Sequence, residues 1–288
     1  MSRFINPYTD FGFKRLFGEE ASKSLLIDFL NAVLPEKHRV KTLEFRNTEQ
    51  LGVIALDRRA SFDISCEAEN GERFIVEMQK SRHQWFKDRA LFYAAFPIRE
   101  QAHQEIMEHK VWNFELKAVY LIAILDFEYD QEDEHRKLQR NVTLKDQDDD
   151  LFYDKLELIF VQLPIFDKPE SELKTQQDKW YYFLKNLSGF EEIPSILREP
   201  VFERAFATAE IARMSKLEQQ TYEAHLKAYR DNYAVMETKL NEGIKIGKAE
   251  GEIQKALEIA RNLKQAGFDI STIAKMTGLS QEEMRRLE

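Results

Sequence analysis

Two short segments near residue 70 show the clearest hydrophobic pattern in the chain. Residues 61–68 read Ser-Phe-Asp-Ile-Ser-Cys-Glu-Ala and residues 72–79 read Glu-Arg-Phe-Ile-Val-Glu-Met-Gln, with Glu69-Asn70-Gly71 between them. Apolar and polar residues alternate in both, which is the period of a strand with one buried face. A three-residue loop with Gly71 left-handed aligns the apolar residues, whereas a two-residue loop mixes the faces. The pattern predicts a β-hairpin with a three-residue loop.

This loop length determines which residues of the hairpin face each other. The predicted pairs are Phe62 with Met78, Ile64 with Val76, Cys66 with Phe74, Glu67 with Arg73 and Asp63 with Glu77. Two carboxylates about 5 Å apart repel by roughly 3 kcal/mol at an effective dielectric near 20. A cation or a shared proton would relieve the repulsion between Asp63 and Glu77, and Mg²⁺ suits one or two carboxylates with water and phosphate. The alternative is an exposed sheet face on which both acids are solvated.

The rest of the pattern predicts further strands and several helices. Strands are expected at 41–45, 52–56, 116–125 and 156–163, and helices at 11–18, 22–34, 85–108, 180–187, 199–216 and 217–240. Thr9 or Asp10 is expected to cap the first helix, and Pro97 is expected to kink or divide the third, at 85–108. The order of these elements predicts an α/β sheet with helices on its faces.

Composition narrows the class of protein. The 288 residues are 43% hydrophobic and 12% aromatic, which indicates a globular chain, with one large domain and an appendage. With 42 Lys and Arg against 51 Asp and Glu, the net charge of −9 gives no general attraction to nucleic acid, so DNA contact would need a local basic surface or a metal ion. The lone Cys66 lies on the apolar face of the hairpin. No signal peptide or membrane-spanning run is evident, which predicts a cytoplasmic protein without a membrane partner.

Arg89 and Tyr93 are the candidate substrate-binding residues. They are four positions apart on the helix that follows the hairpin, beside the end of the strand that carries Glu77. A guanidinium and a hydroxyl on one helix face can bind a phosphate. A packed tyrosine beside a solvated arginine accounts for the pattern equally well.

The C-terminal part is predicted to be almost entirely helical. Gly243, Gly247 and Gly251 repeat every four residues and would form a smooth stripe, suited to close approach of a second copy or else to a frayed linker. Residues 269–284 predict helix, turn, helix, with Gly278 in the turn. Such a tail either reads DNA or contacts protein. The predicted division is 1–187, 188–242 and 243–288.

Together these residues carry a resemblance to a known family. They comprise Thr9-Asp10-Phe11-Gly12-Phe13-Lys14 with Leu16-Phe17-Gly18, Phe29-Leu30-Asn31-Ala32, Phe62-Asp63-Ile64, Val76-Glu77-Met78-Gln79, Arg89, Tyr93, Leu163-Pro164, the three spaced glycines and Thr277-Gly278-Leu279-Ser280. In this order and spacing the chain resembles the recombination-promoting nuclease/transposase family of the PD-(D/E)XK nuclease superfamily. The resemblance implies a restriction-endonuclease-like mixed sheet flanked by helices, followed by an α-helical C-terminal region.

The resemblance also implies an activity and its residues. A metal-dependent DNA endonuclease is expected, with Mg²⁺ or another divalent cation held by Asp63 and Glu77. Gln79 occupies the third motif position, which is Lys in much of the superfamily; it is expected to position a water, since an amide can hydrogen-bond one. Because strand alternation directs Lys80 to the other face, Lys14 is the preferred replacement cation. DNA is the expected partner, and a homodimer through the C-terminal helices is a further hypothesis.

Two other functions fit the sequence. One is a catalytically weak scaffold of the same fold that binds DNA or protein, which the net charge of −9 and the missing motif Lys favour. The other is an enzyme acting on RNA or on small phosphoesters, because the motif marks phosphodiester chemistry better than it marks the polymer.

Overall fold

The computed structural model describes residues 2–35, 38–50, 60–82, 84–107, 114–129, 136–280 and 283. The predicted strand at 52–56 lies outside these residues. The chain divides into two compact units, Met1–Leu226 and Lys227–Glu288.

A six-stranded mixed sheet forms the centre of the first unit. Its strands are β1 Leu43–Phe45, β4 Ile64–Ala68, β5 Arg73–Gln79, β6 Val119–Leu125, β7 Gln139–Lys145 and β8 Leu151–Gln162, while β2 Glu49–Gln50 and β3 Ala60–Ser61 form a separate pair. The spatial order is β1-β4-β5-β6-β8-β7. β5, β6 and β8 are parallel, and the outer pairings are antiparallel. The predicted α/β class with a mixed sheet is confirmed.

Helices cover the sheet and form most of the remaining chain. They are α1 Asp10–Phe17, α2 Lys23–Val33, α3 Phe86–Met107, α4 Gln176–Asn186, α5 Pro200–Ala209, α6 Lys216–Gln265 and α7 Ile270–Thr277. α3 makes the crossover between the parallel strands β5 and β6, a connection that such strands require. It continues through Pro97, so the expected division does not occur.

The hairpin β4–β5 has the predicted loop and, between Ile64 and Glu67, the predicted register. Gly71 is left-handed at φ +84°, and Ala68 is bonded through its N–H to the Glu72 carbonyl. Ile64 faces Val76, Cys66 faces Phe74 and Glu67 faces Arg73. The ladder then ends at Ile64, so Phe62 does not pair with Met78. Phe62 packs instead against Tyr93 and Phe96 of α3.

Three other parts of the structure differ from the pattern-based prediction. α5 ends at Ala209, not near residue 216, because the next residues pair with the N-terminal segment: Ile211 donates to Arg3 O and Phe4 bridges Glu210. β8 begins at Leu151, because the polar stretch before residue 156 pairs with β7 as a hairpin. The glycine-spaced stretch is continuous helix within α6, not a frayed linker.

Gly12 is the glycine for which the fold has a steric requirement. It lies in the first turn of α1, where Thr9 Oγ1 accepts a hydrogen bond from its N–H at 3.0 Å. A Cβ on Gly12 would lie 2.2 Å from Asn6 O and 2.8 Å from Thr9 Oγ1. A side chain here must displace either the cap or the chain before it. Gly247, by contrast, is a helical glycine with nothing within 4 Å of its Cβ position.

We expect Gly12→Ala to lower the free energy of unfolding by about 1–3 kcal/mol, the usual cost of overpacking. Gly247→Ala, the matched control, is expected to raise helix stability by about 1 kcal/mol, since alanine is the better helix former. Chemical denaturation followed by circular dichroism measures both. A Gly12→Ala protein as stable as wild type would contradict the expectation.

Candidate active site

The predicted acid pair comes together where β4 ends beside β5. Asp63 occupies a bend immediately before Ile64, the first residue of β4, and its N–H donates to Glu77 Oε1 at 3.1 Å. Met78 N–H in turn donates to Asp63 Oδ2 at 2.8 Å. Each acid therefore accepts a backbone hydrogen bond from the other strand, at the point where the regular ladder stops. Side chains replace the missing ladder bonds and orient both carboxylates.

Burial at this site excludes the interpretation of solvated acids on an open sheet face. Glu77 is 3% exposed, and Asp63 is half-buried. Burial and the charge of Asp63 raise the pKa of Glu77 above its ordinary value, and smaller effects of the Asp63 N–H, Arg89 and Gln79 oppose this rise. Burial also raises the pKa of Asp63. The hydrogen bond from the Met78 N–H opposes this rise in part, and the charge of Asp10 increases it. The two carboxyls are therefore held near each other with their charges incompletely compensated.

Gln79 lies on the same face of β5 as Glu77. Its Nε2 donates to Glu77 Oε2 at 2.9 Å, and the side chain is 8% exposed. Because the amide nitrogen is engaged with Glu77, the amide oxygen is the group left to accept a hydrogen bond from a water. The predicted location of Gln79 beside the acid pair agrees with the structure.

Arg89 and Tyr93 lie beside Glu77 of the acid pair. With Glu77 and Gln79 they line a cavity of about 10 Å³, which is close to the smallest space that accommodates one water. The guanidinium carbon of Arg89 lies 4.8 Å from the centre of the Tyr93 ring, in a cation–π arrangement, and its charge lowers the pKa of Glu77.

Lys14 is exposed on α1, and its charge lowers the pKa of Asp63. Lys80 acts on Asp63 in the same direction, with a smaller effect. The preference for Lys14 over Lys80 rests on strand alternation. β5 ends at Gln79, so the alternation does not extend to Lys80.

Asp10 is the residue of this site that the sequence argument missed. Its carboxylate forms an ion pair with Lys80, and His225 Nδ1 lies 4.0 Å from Asp10 Oδ2. Lys80, its partner in this ion pair, is 70 positions away in the chain. No local pattern carries that information, because it depends on how α1 packs against the end of the hairpin.

The donor set fits a hard divalent cation. Two carboxylates with raised pKa values, close together and mostly buried, suit an ion such as Mg²⁺, which takes one or two carboxylates and completes its shell with water and substrate oxygens. Among the described residues, no three His, Cys, Asp or Glu side chains form a cluster able to enclose a metal. An open two-carboxylate site is the arrangement that these residues can supply.

Comparison with known protein families agrees with this fold and site. Residues 7–239 match the model described as PD-(D/E)XK nuclease family transposase, and residues 254–288 match the Rpn/YhgA-like nuclease family, C-terminal HTH domain. The chain belongs to the PD-(D/E)XK nuclease family described as transposase. No curated protein and no solved structure gave a significant match.

The C-terminal match begins within α6 and includes α7. Asp269 caps α7, accepting from Thr272 N–H at 3.0 Å, and the left-handed Gly278 ends it. Ala260, Ile273 and Leu279 form a small buried cluster that holds α7 against the end of α6. The second helix of the predicted tail falls largely on residues 281–288, of which the structure describes Glu283 alone. In the described part of the chain, no helix combines the length and apolarity needed to cross a bilayer.

Proposed function

We propose that the protein is a metal-dependent DNA endonuclease that hydrolyses phosphodiester bonds. The observation that carries the proposal is the buried Asp63–Glu77 pair, joined by reciprocal backbone hydrogen bonds and left with charge that a cation would neutralise. Membership of a nuclease family supports the same reaction class. Magnesium is the proposed ion, and other divalent cations fit the same donors.

Each residue of the site has a proposed role. Asp63 and Glu77 would hold the ion, which supplies Lewis-acid polarisation of a phosphoryl oxygen and a more acidic water. Gln79 would orient the attacking water through its amide oxygen. Arg89, beside Glu77, would bind a phosphate oxygen of the substrate, and Tyr93 would hold the guanidinium in place by stacking on it.

A plasmid-nicking assay tests this function directly. Wild type is expected to nick supercoiled DNA in Mg²⁺ but not in EDTA, and Asp63→Ala is expected to be inactive in both. Equal DNA loss with both proteins would indicate contamination and would remove the proposal. Tight DNA binding without cleavage by wild type would support a scaffold instead, and cleavage of RNA or small phosphoesters alone would change the substrate class.

Lys14 is the proposed cation for the negative charge that develops on the phosphate. We expect Lys14→Ala to lower cleavage by roughly 10–100-fold, because a positive charge placed beside a developing anion stabilises the transition state. Lys41→Ala, at an exposed lysine outside the site, serves as the control. Initial rates on a labelled duplex give the comparison. Full activity in Lys14→Ala beside an inactive Glu77→Ala would remove this role, and a selective loss in Lys80→Ala would transfer it to Lys80.

A homodimer through α6 is a second part of the proposal. Tyr233, Met236 and Leu240 follow heptad spacing and are exposed within Lys227–Glu288. Such a face suits a second copy of the same helix. Sedimentation equilibrium is expected to show a dimer that Leu240→Glu dissociates, and a monomeric wild type would contradict this.

A further inference from the structure

A second cleft lies on the far side of α3 from the acid pair. Its volume is about 670 Å³, within the range of ligand sites, and it opens between α3 and the strands β7 and β8. Lys87 and Leu91 line it from the helix, and Arg140 and Val142 line it from the edge strand β7. Neither the acid pair nor its neighbours contribute to it.

The cleft follows from how α3 covers the sheet. Phe86, Ala90 and Ala94 form the buried ridge of the helix, which packs with residues of β6 and β8. At 100° per residue, Arg89 and Tyr93 project from one flank of this ridge and Lys87 and Leu91 from the other. Because β7 is the edge strand beyond β8, the helix leaves its face uncovered. One helix therefore borders both the acid pair and the cleft.

The charged residues in the described lining of this cleft are all positive, whereas the whole chain is acidic. Its described lining contains Lys87, Lys137 and Arg140 and no acidic residue, although the chain carries a net charge of −9. The acidic sequence at 130–135 lies outside the described residues. A local basic surface is what an acidic protein needs in order to bind a polyanion.

The side chains that line the cleft suit the sugar-phosphate backbone of a nucleic acid better than its bases. Tyr129 and Phe160 are buried and pack on each other with their ring centres 5.4 Å apart, while Lys87 Nζ lies 5.3 Å from the Tyr129 ring centre. Neither ring is open for a base to stack on it. The accessible groups are cations beside the aliphatic side chains of Leu91 and Val142, which suits phosphates joined by apolar sugars.

We propose that this cleft binds the phosphodiester backbone of DNA outside the cleavage site, through Lys87, Lys137 and Arg140. The inference rests on the proposed function and names the surface by which this acidic chain holds its substrate. α3 separates the cleft from the acid pair, so the contacted phosphates are not those of the scissile bond. Contacts to the backbone carry no sequence preference.

The test measures DNA binding without cleavage, by fluorescence anisotropy of a labelled duplex with full-length protein in EDTA. Lys87→Gln/Lys137→Gln/Arg140→Gln is expected to weaken binding at least tenfold and to lower the slope of log K against log salt by about 0.9 for each lost contact. The matched control, Lys41→Gln/Lys174→Gln/Arg198→Gln, removes the same charges from exposed positions outside the cleft and is expected to bind within twofold of wild type.

Equal binding by the cleft variant and the matched control would overturn the inference, as would a wild type that does not bind DNA at low salt. Because Arg140 is half-buried, thermal unfolding checks the triple variant, and Lys87→Gln/Lys137→Gln repeats the test at exposed positions alone. Competition by duplex but not by a mononucleotide or inorganic phosphate is expected for a backbone site, and equal competition by phosphate would overturn it. Loss of cleavage in Asp63→Ala tests the nuclease proposal separately, since binding in EDTA does not depend on catalysis.

Discussion

Glu77→Gln is expected to abolish cleavage and at the same time to stabilise the metal-free protein. The amide cannot supply the second negative ligand, so we expect cleavage to fall by about 10³-fold, comparable to the loss of a main electrostatic group in other enzymes. The amide also removes a desolvated charge that faces Asp63. Gln79 can turn its amide so that its oxygen accepts from the new side chain, which keeps the local hydrogen bonding.

The stabilising effect of Glu77→Gln is expected to be about 2–4 kcal/mol at pH 8 in EDTA, an order-of-magnitude figure from the raised pKa. Thermal unfolding and initial cleavage rates measure the two effects on the same preparation. Glu69→Gln, in the exposed loop of the same hairpin, is the control and should change neither quantity. A Glu77→Gln protein that loses activity through unfolding, with a lower midpoint than wild type, would show that the carboxylate is structural.

The second large expected effect is that the metal-free protein loses stability as the pH rises. A divalent ion is expected to offset this loss. Burial and Asp63 raise the pKa of Glu77 from 4.5 to about 8, so the folded protein holds a proton there that the unfolded chain releases. This contribution is fully present below pH 4.5 and is lost as the pH rises through about 8. Without metal, wild type is therefore expected to become less stable between pH 5 and pH 8.

Mg²⁺ or Mn²⁺ should offset this loss, because the ion binds the ionised carboxylates of the folded state. At one hundred times its dissociation constant an ion adds about 2.7 kcal/mol, which corresponds to a rise of roughly 5–10 °C in the unfolding midpoint for a unit of this size. The rise should be larger at pH 8 than at pH 6 and absent in Asp63→Asn/Glu77→Gln. An unfolding midpoint at pH 8 that does not respond to either ion would argue against the metal site.

Local sequence patterns predicted the parts of the site that lie on one hairpin. Ile64, Cys66, Phe74 and Val76 alternate, and Gly71 can adopt the left-handed conformation, so loop length and register followed from two-residue periodicity alone. The same periodicity places Gln79 beside Glu77. It also places Asp63 near Glu77, but not as a ladder pair, because Asp63 occupies a bend where side-chain hydrogen bonds replace the ladder.

Contacts between distant segments set the remaining part of the site. Lys80 and Asp10 meet only because the buried face of α1, with Phe13, Leu16 and Phe17, positions the helix beside the end of β5. The basic cleft likewise depends on which flank of α3 faces β7, and its cations come from three separated segments. The net charge of −9 gives no indication of such a surface, because composition does not say where in the structure the charges lie.

The sequence by itself therefore determined the hairpin, its acid pair, the class of the sheet and the helical C-terminal region, because each depends on periodicity or on short turns. Only the tertiary structure decided that Glu77 is buried, that Asp10 and Lys80 join the site, and that the second face of α3 borders a basic cleft. The physical reason is that burial and charge proximity arise from packing between elements far apart in the chain. The effects that raise the pKa values of the acid pair, desolvation and repulsion, exist only after that packing has formed.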